Sequence, residues 1–142
     1  MNMQLEKISA FRAELAIAET IEDIKYLETK SSAIAEIARK QKMGKSAQDE
    51  VGEFRVEIEK KKGAWLDEFY PSKAHSSSPM ADDGIGFKES SNARLVKKES
   101  ELVAQAIEEL KQNKTKIVTP SAVAKSVRKK KRDINIKEKI KE

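Results

Sequence analysis

Cysteine is absent from the 142 residues, which removes disulfides, thiolate nucleophiles and thiolate metal sites from consideration. Aromatic residues make up only 5% and there are three prolines and five glycines, too few of each for a turn-rich sheet protein. No apolar run approaches the roughly 18 residues a membrane-spanning helix needs. The first residues, "MNMQLEKISAFRAEL", lack the cationic start and apolar block of a secretion signal, so the expectation is a soluble, cytoplasmic chain. What the sequence has instead is charge, at 37% of residues. Such a composition fits exposed helices that each bury one apolar stripe.

The net charge of +5 is concentrated at one end. Residues 128–142 hold eight Lys/Arg and three Asp/Glu, while residues 1–127 hold 21 of each sign and sum to zero. Attraction to a polyanion should therefore begin in the last fifteen residues.

Apolar residues recur at helical spacing over most of the chain. Leu5, Ile8, Phe11 or Arg12, Leu15 and Ala18 describe a first amphipathic helix. Thr20 with Asp23 forms a variant capping box, followed by a face of Ile21, Ile24, Leu27, Ile34 and Ile37 and a stop at Gly44. Ser46 with Asp49 repeats the capping arrangement ahead of Val51, Phe54, Ile58, Trp65 and Phe69. Gly63 interrupts this run at a cost of about 1 kcal/mol relative to alanine, which implies a packing reason. These two helices, about 22 residues and about 33 Å each, are joined by "MGKS" and should pair antiparallel.

Residues 71–84, with two prolines and a serine run, read as a linker. A short helix and a longer one built on Leu102, Val103, Ala106, Ile107 and Leu110 follow. Thr119 and Pro120 are a cap and a first-turn proline that open the last helix. The expected architecture is all-α: a helical region over 1–70 dominated by a long hairpin, a linker over 71–84, a small basic helical module over 85–132, and a charged, frayed tail over 133–142.

Catalytic signals are missing. The single histidine, His75, sits in the linker with no recognisable nucleophile or partner, and Asp82 and Asp83 before Gly84 lack the ligand count of a calcium loop. "DDGIGF" lacks the Lys-Ser/Thr of a phosphate-cradling loop. The sequence reads as a non-enzyme with no cofactor, metal or small-molecule substrate. Trp65, Phe69 and Tyr70 could stack bases, though on the apolar face they suit a core or a partner helix better. Lys60, Lys61 and Lys62 fit phosphate contact and plain solvation equally well.

"TPSAVAKSVRKKKR" (119–132) is the strongest candidate for binding. At about 100° per residue, Val123, Ala124 and Val127 face one side, and Ser121, Lys125, Arg128, Lys129 and Arg132 the other. A helix that packs by one face and presents cations by the other suits phosphate contact, with arginine able to reach base edges. The competing view is an unstructured basic tail that attracts any polyanion.

"TIEDIKYLETKSSAIAEIARKQKMG" followed by "VGEFRVEIEKKKGAWL" resembles a helical-hairpin segment of small DNA-associated proteins from bacteriophages and mobile elements, some linked to adenine methyltransferases or partition-type functions. The matching features fall on Asp23, Lys25, residues 38–40, Glu53, Arg55, residues 59–61 and Gly63. A helix-turn-helix-like stretch often follows in that family, and "GIGFKESSNAR", with Gly84, Ile85, Ser90, Ser91 and Arg94, is similar, although the family's tryptophan after that arginine is missing.

The resemblance implies no catalytic residue and a DNA-binding regulatory or accessory role. Taken together, nucleic acid, DNA before RNA, is expected at Ser90, Ser91, Arg94, Lys125, Arg128, Lys129, Lys130, Lys131 and Arg132. Phe54, Ile58, Trp65 and Phe69 are expected to pair two chains or dock a protein. The rival reading is a coiled-coil adaptor, structural component or inhibitor that binds a partner through the hairpin, with Trp65 and Phe69 as its discriminating feature.

Overall fold

A computed structural model describes residues 3–69 and 87–141. Its described residues form α1 (Met3–Ile17), α2 (Ile21–Lys40), α3 (Lys45–Phe69), α4 (Phe87–Lys98), α5 (Ser100–Gln112) and α6 (Pro120–Lys141), with no strand among them. The protein is all-α. The linker assigned to 71–84, with His75, Asp82 and Asp83, lies outside the described residues, as does the glycine pair of "GIGF".

Helix α2 begins as its sequence dictates. Thr20 is extended (φ −106°, ψ 156°), and its hydroxyl accepts from the Asp23 N–H at 3.1 Å. Glu22 and Asp23 lie at the positive end of the helix dipole, Arg39 and Lys40 at the negative end. The buried face runs Ile21, Ile24, Leu27, Ser31, Ile34 and Ala38. Ile37, expected on that face, is outside it, because spacings of three and four rotate the stripe onto Ala38.

The stop also differs from expectation. Gln41 and Lys42 donate back to Ile37 and Arg39, and Met43 donates to Ala38. The left-handed residue is Lys42, at φ 52°, two positions before Gly44. A lysine pays about 1 kcal/mol for that conformation, so Lys42→Gly should stabilise the fold by about that amount. A higher midpoint in urea unfolding would show it.

Helix α3 starts at Lys45, one residue before the expected Ser46 cap, and α1, α2, α4, α5 and α6 all pack against it. α2 and α3 run alongside each other, with Lys62 of α3 buried and paired to Glu28 of α2 at 2.6 Å. The apolar stripe Val51–Phe54–Ile58 faces a core shared with Ile8, Leu15, Ile21, Ile24, Leu27 and Ile34. A second stripe of α3, holding Gly52, Val56 and Gly63, faces the C-terminal helices. Val56 shares a core with Val96, Val103, Ala106, Val118, Val123 and Val127.

The two regions read in the sequence thus meet on one helix, and Ala93 of α4 belongs to the same core as Phe54. Both glycines are sites of close approach. A Cβ at Gly63 would lie 2.3 Å from the Ala93 carbonyl oxygen, and one at Gly52 only 1.6 Å from that of Val118. The packing reason expected for Gly63 is the passage of α4.

Candidate nucleic-acid interface

Helix α6 opens on Thr119, whose hydroxyl accepts from the Ala122 N–H at 3.1 Å, with Pro120 as its first residue. Val123, Ala124 and Val127 are buried, as their spacing requires. The helix does not fray at 133. It continues to Lys141, since nothing in "DINIKEKIK" breaks the helical period and Asp133 and Lys137 stand four residues apart.

The connection from α5 to α6 is built tightly. The Asn113 side chain accepts from the N–H groups of Thr115 and Lys116 at 2.9 and 3.0 Å, an Asx turn. The Val118 N–H then donates to Oδ1 of Asp49 at 3.0 Å. Asp49 is buried (5% exposed), and its other oxygen accepts from Lys45 Nζ at 2.6 Å. The same ammonium donates to the terminal carbonyls of α5, Leu110 at 2.8 Å and Lys111 at 3.1 Å, placing positive charge where the helix dipole is negative.

Lys111 meets Glu53 at 2.7 Å, and that hydrogen bond raises its pKa despite partial burial. Asp49, expected as a helix cap, is therefore the anchor of a distant segment.

Between the end of α5, this connection and α6 lies a groove of about 530 Å³. Lys116, Lys125, Lys129 and Arg132 line it together with Glu109 and Asn113. The three cations from α6 are exposed, recur at spacings of four and three, and form no ion pair with a described residue. Lys116 and the neighbouring Lys114 are exposed as well. They were not among the expected contacts, although "NKTK" before the Thr119–Pro120 start signalled a basic loop at the mouth of the helix.

Four of the other expected contacts are engaged within the molecule. Arg128 donates to Asn92 at 2.6 Å, with Ser91 Oγ at 3.5 Å, and so ties α6 to α4. Lys130 pairs with Glu109 at 2.5 Å and Lys131 with Glu99 at 3.0 Å. Arg94 turns toward Asp67 of α3 at 3.4 Å, beside Lys97 at 2.8 Å. Ser91 is exposed. Ser90 lies on α4, and its side chain is outside the described part.

The helix-turn-helix likeness also weakens, because seven residues join α5 to α6 and one joins α4 to α5. The motif uses a turn of about three to four.

The expected protein-docking set divides too. Phe54 and Ile58 are completely buried and belong to the chain's own core, so neither reaches a partner. Arg12 of α1 seals this region, donating to Glu57 and Glu50 at 2.8 and 2.7 Å with its guanidinium 5.9 Å from the Phe54 ring centre. Burial opposes the charge on Arg12, but the two glutamates outweigh it and raise its pKa.

Trp65 is partly buried against the same core. Only Phe69 is exposed, its ring 4.9 Å from that of Trp65. Lys62, one of the three lysines considered for phosphate, is buried between Glu28 and Glu59.

Family models, curated proteins and solved structures give no match to this chain. The functional reading therefore rests on the geometry. Among the described residues no three His, Asp or Glu side chains gather as a metal site requires, and no helix is long and apolar enough to cross a membrane.

Proposed function

We propose that the chain is a nucleic-acid-binding protein, a regulatory or accessory factor of the phage or mobile-element type. Its contact surface is the groove between α5 and α6. One observation carries this reading. In a chain rich in acids, where Lys130, Lys131, Lys97 and Lys111 each meet a carboxylate, Lys125, Lys129 and Arg132 share a single face of a helix and meet none among the described residues. Cations on a packed helix lose less freedom on seating against phosphates than those of a loose tail, so more of the counterion-release free energy is kept as affinity.

Fluorescence anisotropy with a labelled 20-base-pair duplex, titrated at several salt concentrations, tests the assignment. Replacing Lys125, Lys129 and Arg132 together by alanine should lower the slope of log K against log salt by about 2 to 3, as loss of about three phosphate contacts requires. The paired lysines serve as the internal comparison. Lys130→Ala with Lys131→Ala removes the same type of charge but should move the slope far less. Equal effects of the two variants, or no binding by the intact chain, would count against the groove.

A second reading, docking of a protein partner at the end of α3, is supported by the exposure of Phe69 on its Trp65 platform. Phe69→Ala would then abolish complex formation while the triple groove variant left it intact.

A further inference from the structure

Helix α6 is longer than the surface it packs on. Its last buried residue is Val127, and every residue from Arg132 to Ile140 is exposed. This stretch of nine residues projects about 13 Å. Of its three exposed isoleucines, Ile136 and Ile140 share one face and are 56% and 78% exposed, with Ile134 on the opposite side. Ile136 and Ile140 follow Arg132 at steps of four, so the cationic row of the groove runs on into two isoleucines on the same helix face, beside Lys139.

Building on the nucleic-acid reading, we infer that this overhang enters the major groove of double-stranded DNA. Lys125, Lys129 and Arg132 then sit on the flanking phosphates, and Ile136 and Ile140 lie against base edges.

Three features fix the class of ligand. The groove lining contains no aromatic side chain, so it offers no platform for the stacked bases of a single strand. An α-helix with its side chains is about 10–12 Å across and fits the roughly 12 Å major groove of B-form DNA, whereas the deep, narrow major groove of an RNA duplex excludes it. Finally, Arg94 and Arg128 are held by Asp67 and by Asn92, and Arg132, four residues before Ile136, is taken up by phosphate. The aliphatic side chains on this face, Ile136 and Ile140, have their match in the major groove in the thymine methyl. Sequence discrimination is accordingly modest and leans toward A·T pairs.

The test uses the full chain and four ligands: a 20-base-pair A·T-rich DNA duplex, the same duplex with uracil in place of thymine, the RNA duplex of equivalent sequence, and the single DNA strand. The DNA duplex should bind about tenfold tighter than the RNA duplex and the single strand, and loss of the methyl groups should weaken it about threefold. Ile136→Ser with Ile140→Ser, both at exposed positions, should weaken binding to the thymine duplex and abolish its advantage over the uracil duplex, leaving the salt slope unchanged.

Equal affinity for DNA and RNA duplexes, or indifference to the isoleucine variant, overturns the groove insertion while nucleic-acid binding stands. Binding of none of the four ligands removes both. A dimer in sedimentation that the isoleucine variant dissolves, with DNA affinity unaltered, assigns the overhang to a second copy instead and likewise overturns the proposal.

Discussion

Alanine at Gly52 should destabilise the protein by about 3 kcal/mol or more, a large share of the total for a chain of this size. The added methyl would lie 1.6 Å from the Val118 carbonyl oxygen and 2.5 Å from its carbonyl carbon. Both atoms are backbone, so no rotamer change relieves the clash. The Val118 segment cannot back away cheaply, because its N–H is bound to buried Asp49 and its side chain is fully enclosed in the C-terminal core.

Moving it therefore forfeits a buried hydrogen bond, about 1–3 kcal/mol, in addition to the packing of Val118. Helix propensity works the other way, since alanine is favoured over glycine by about 1 kcal/mol in a helix interior. The steric term wins because a carbonyl cannot occupy the same space as a methyl group. Urea unfolding would show a lower midpoint at an unchanged slope, and a midpoint equal to that of the parent would refute the close approach. Because Lys116 lies two residues before Val118, the same variant should also loosen the basic groove and weaken duplex binding.

That glycine marks where sequence pattern stops informing. The helices themselves were readable, because capping and periodicity are local: Thr20 with Asp23, and Thr119 with Pro120, do what their spacing implies. The stripe that holds Phe54 and Ile58 reads as apolar, but a period of three and four does not say whether a partner or the chain's own helices cover it. Here α1 and α2 cover it, and Phe54 and Ile58 are lost to any docking role.

The cationic helix was readable in outline for the same local reason, and its division into free and engaged residues was not. Lys130 and Lys131 meet Glu109 and Glu99 only because α5 lies beside α6, and Arg128 reaches Asn92 only because α4 does. Those pairings join residues 21 to 36 positions apart, and a single sequence carries no signal for them.

Replacing Asp49 by alanine is expected to cost about 2–4 kcal/mol. The substitution leaves the Val118 N–H buried without an acceptor and takes from Lys45 its carboxylate partner, while the ammonium still faces the carbonyls of Leu110 and Lys111. Surface pairs such as Arg39 with Glu36 offer no comparable effect, since both side chains are about half exposed or more and water replaces the partner.

Asp49→Asn separates the two contributions: its amide oxygen can still accept from Val118, so the remaining loss reports the interaction with Lys45. Combining each variant with Lys45→Met completes a double-mutant cycle, and a coupling of about 1 kcal/mol or more is expected for groups in direct contact. The consequence extends beyond stability. Lys45 and Asp49 together fix the end of α5 and the start of α6, which are the two walls of the groove. Asp49→Ala should therefore weaken duplex binding even at temperatures where the protein stays folded, although Asp49 touches no ligand. Unaltered affinity in a folded Asp49→Ala protein would mean that the groove holds its shape without this anchor.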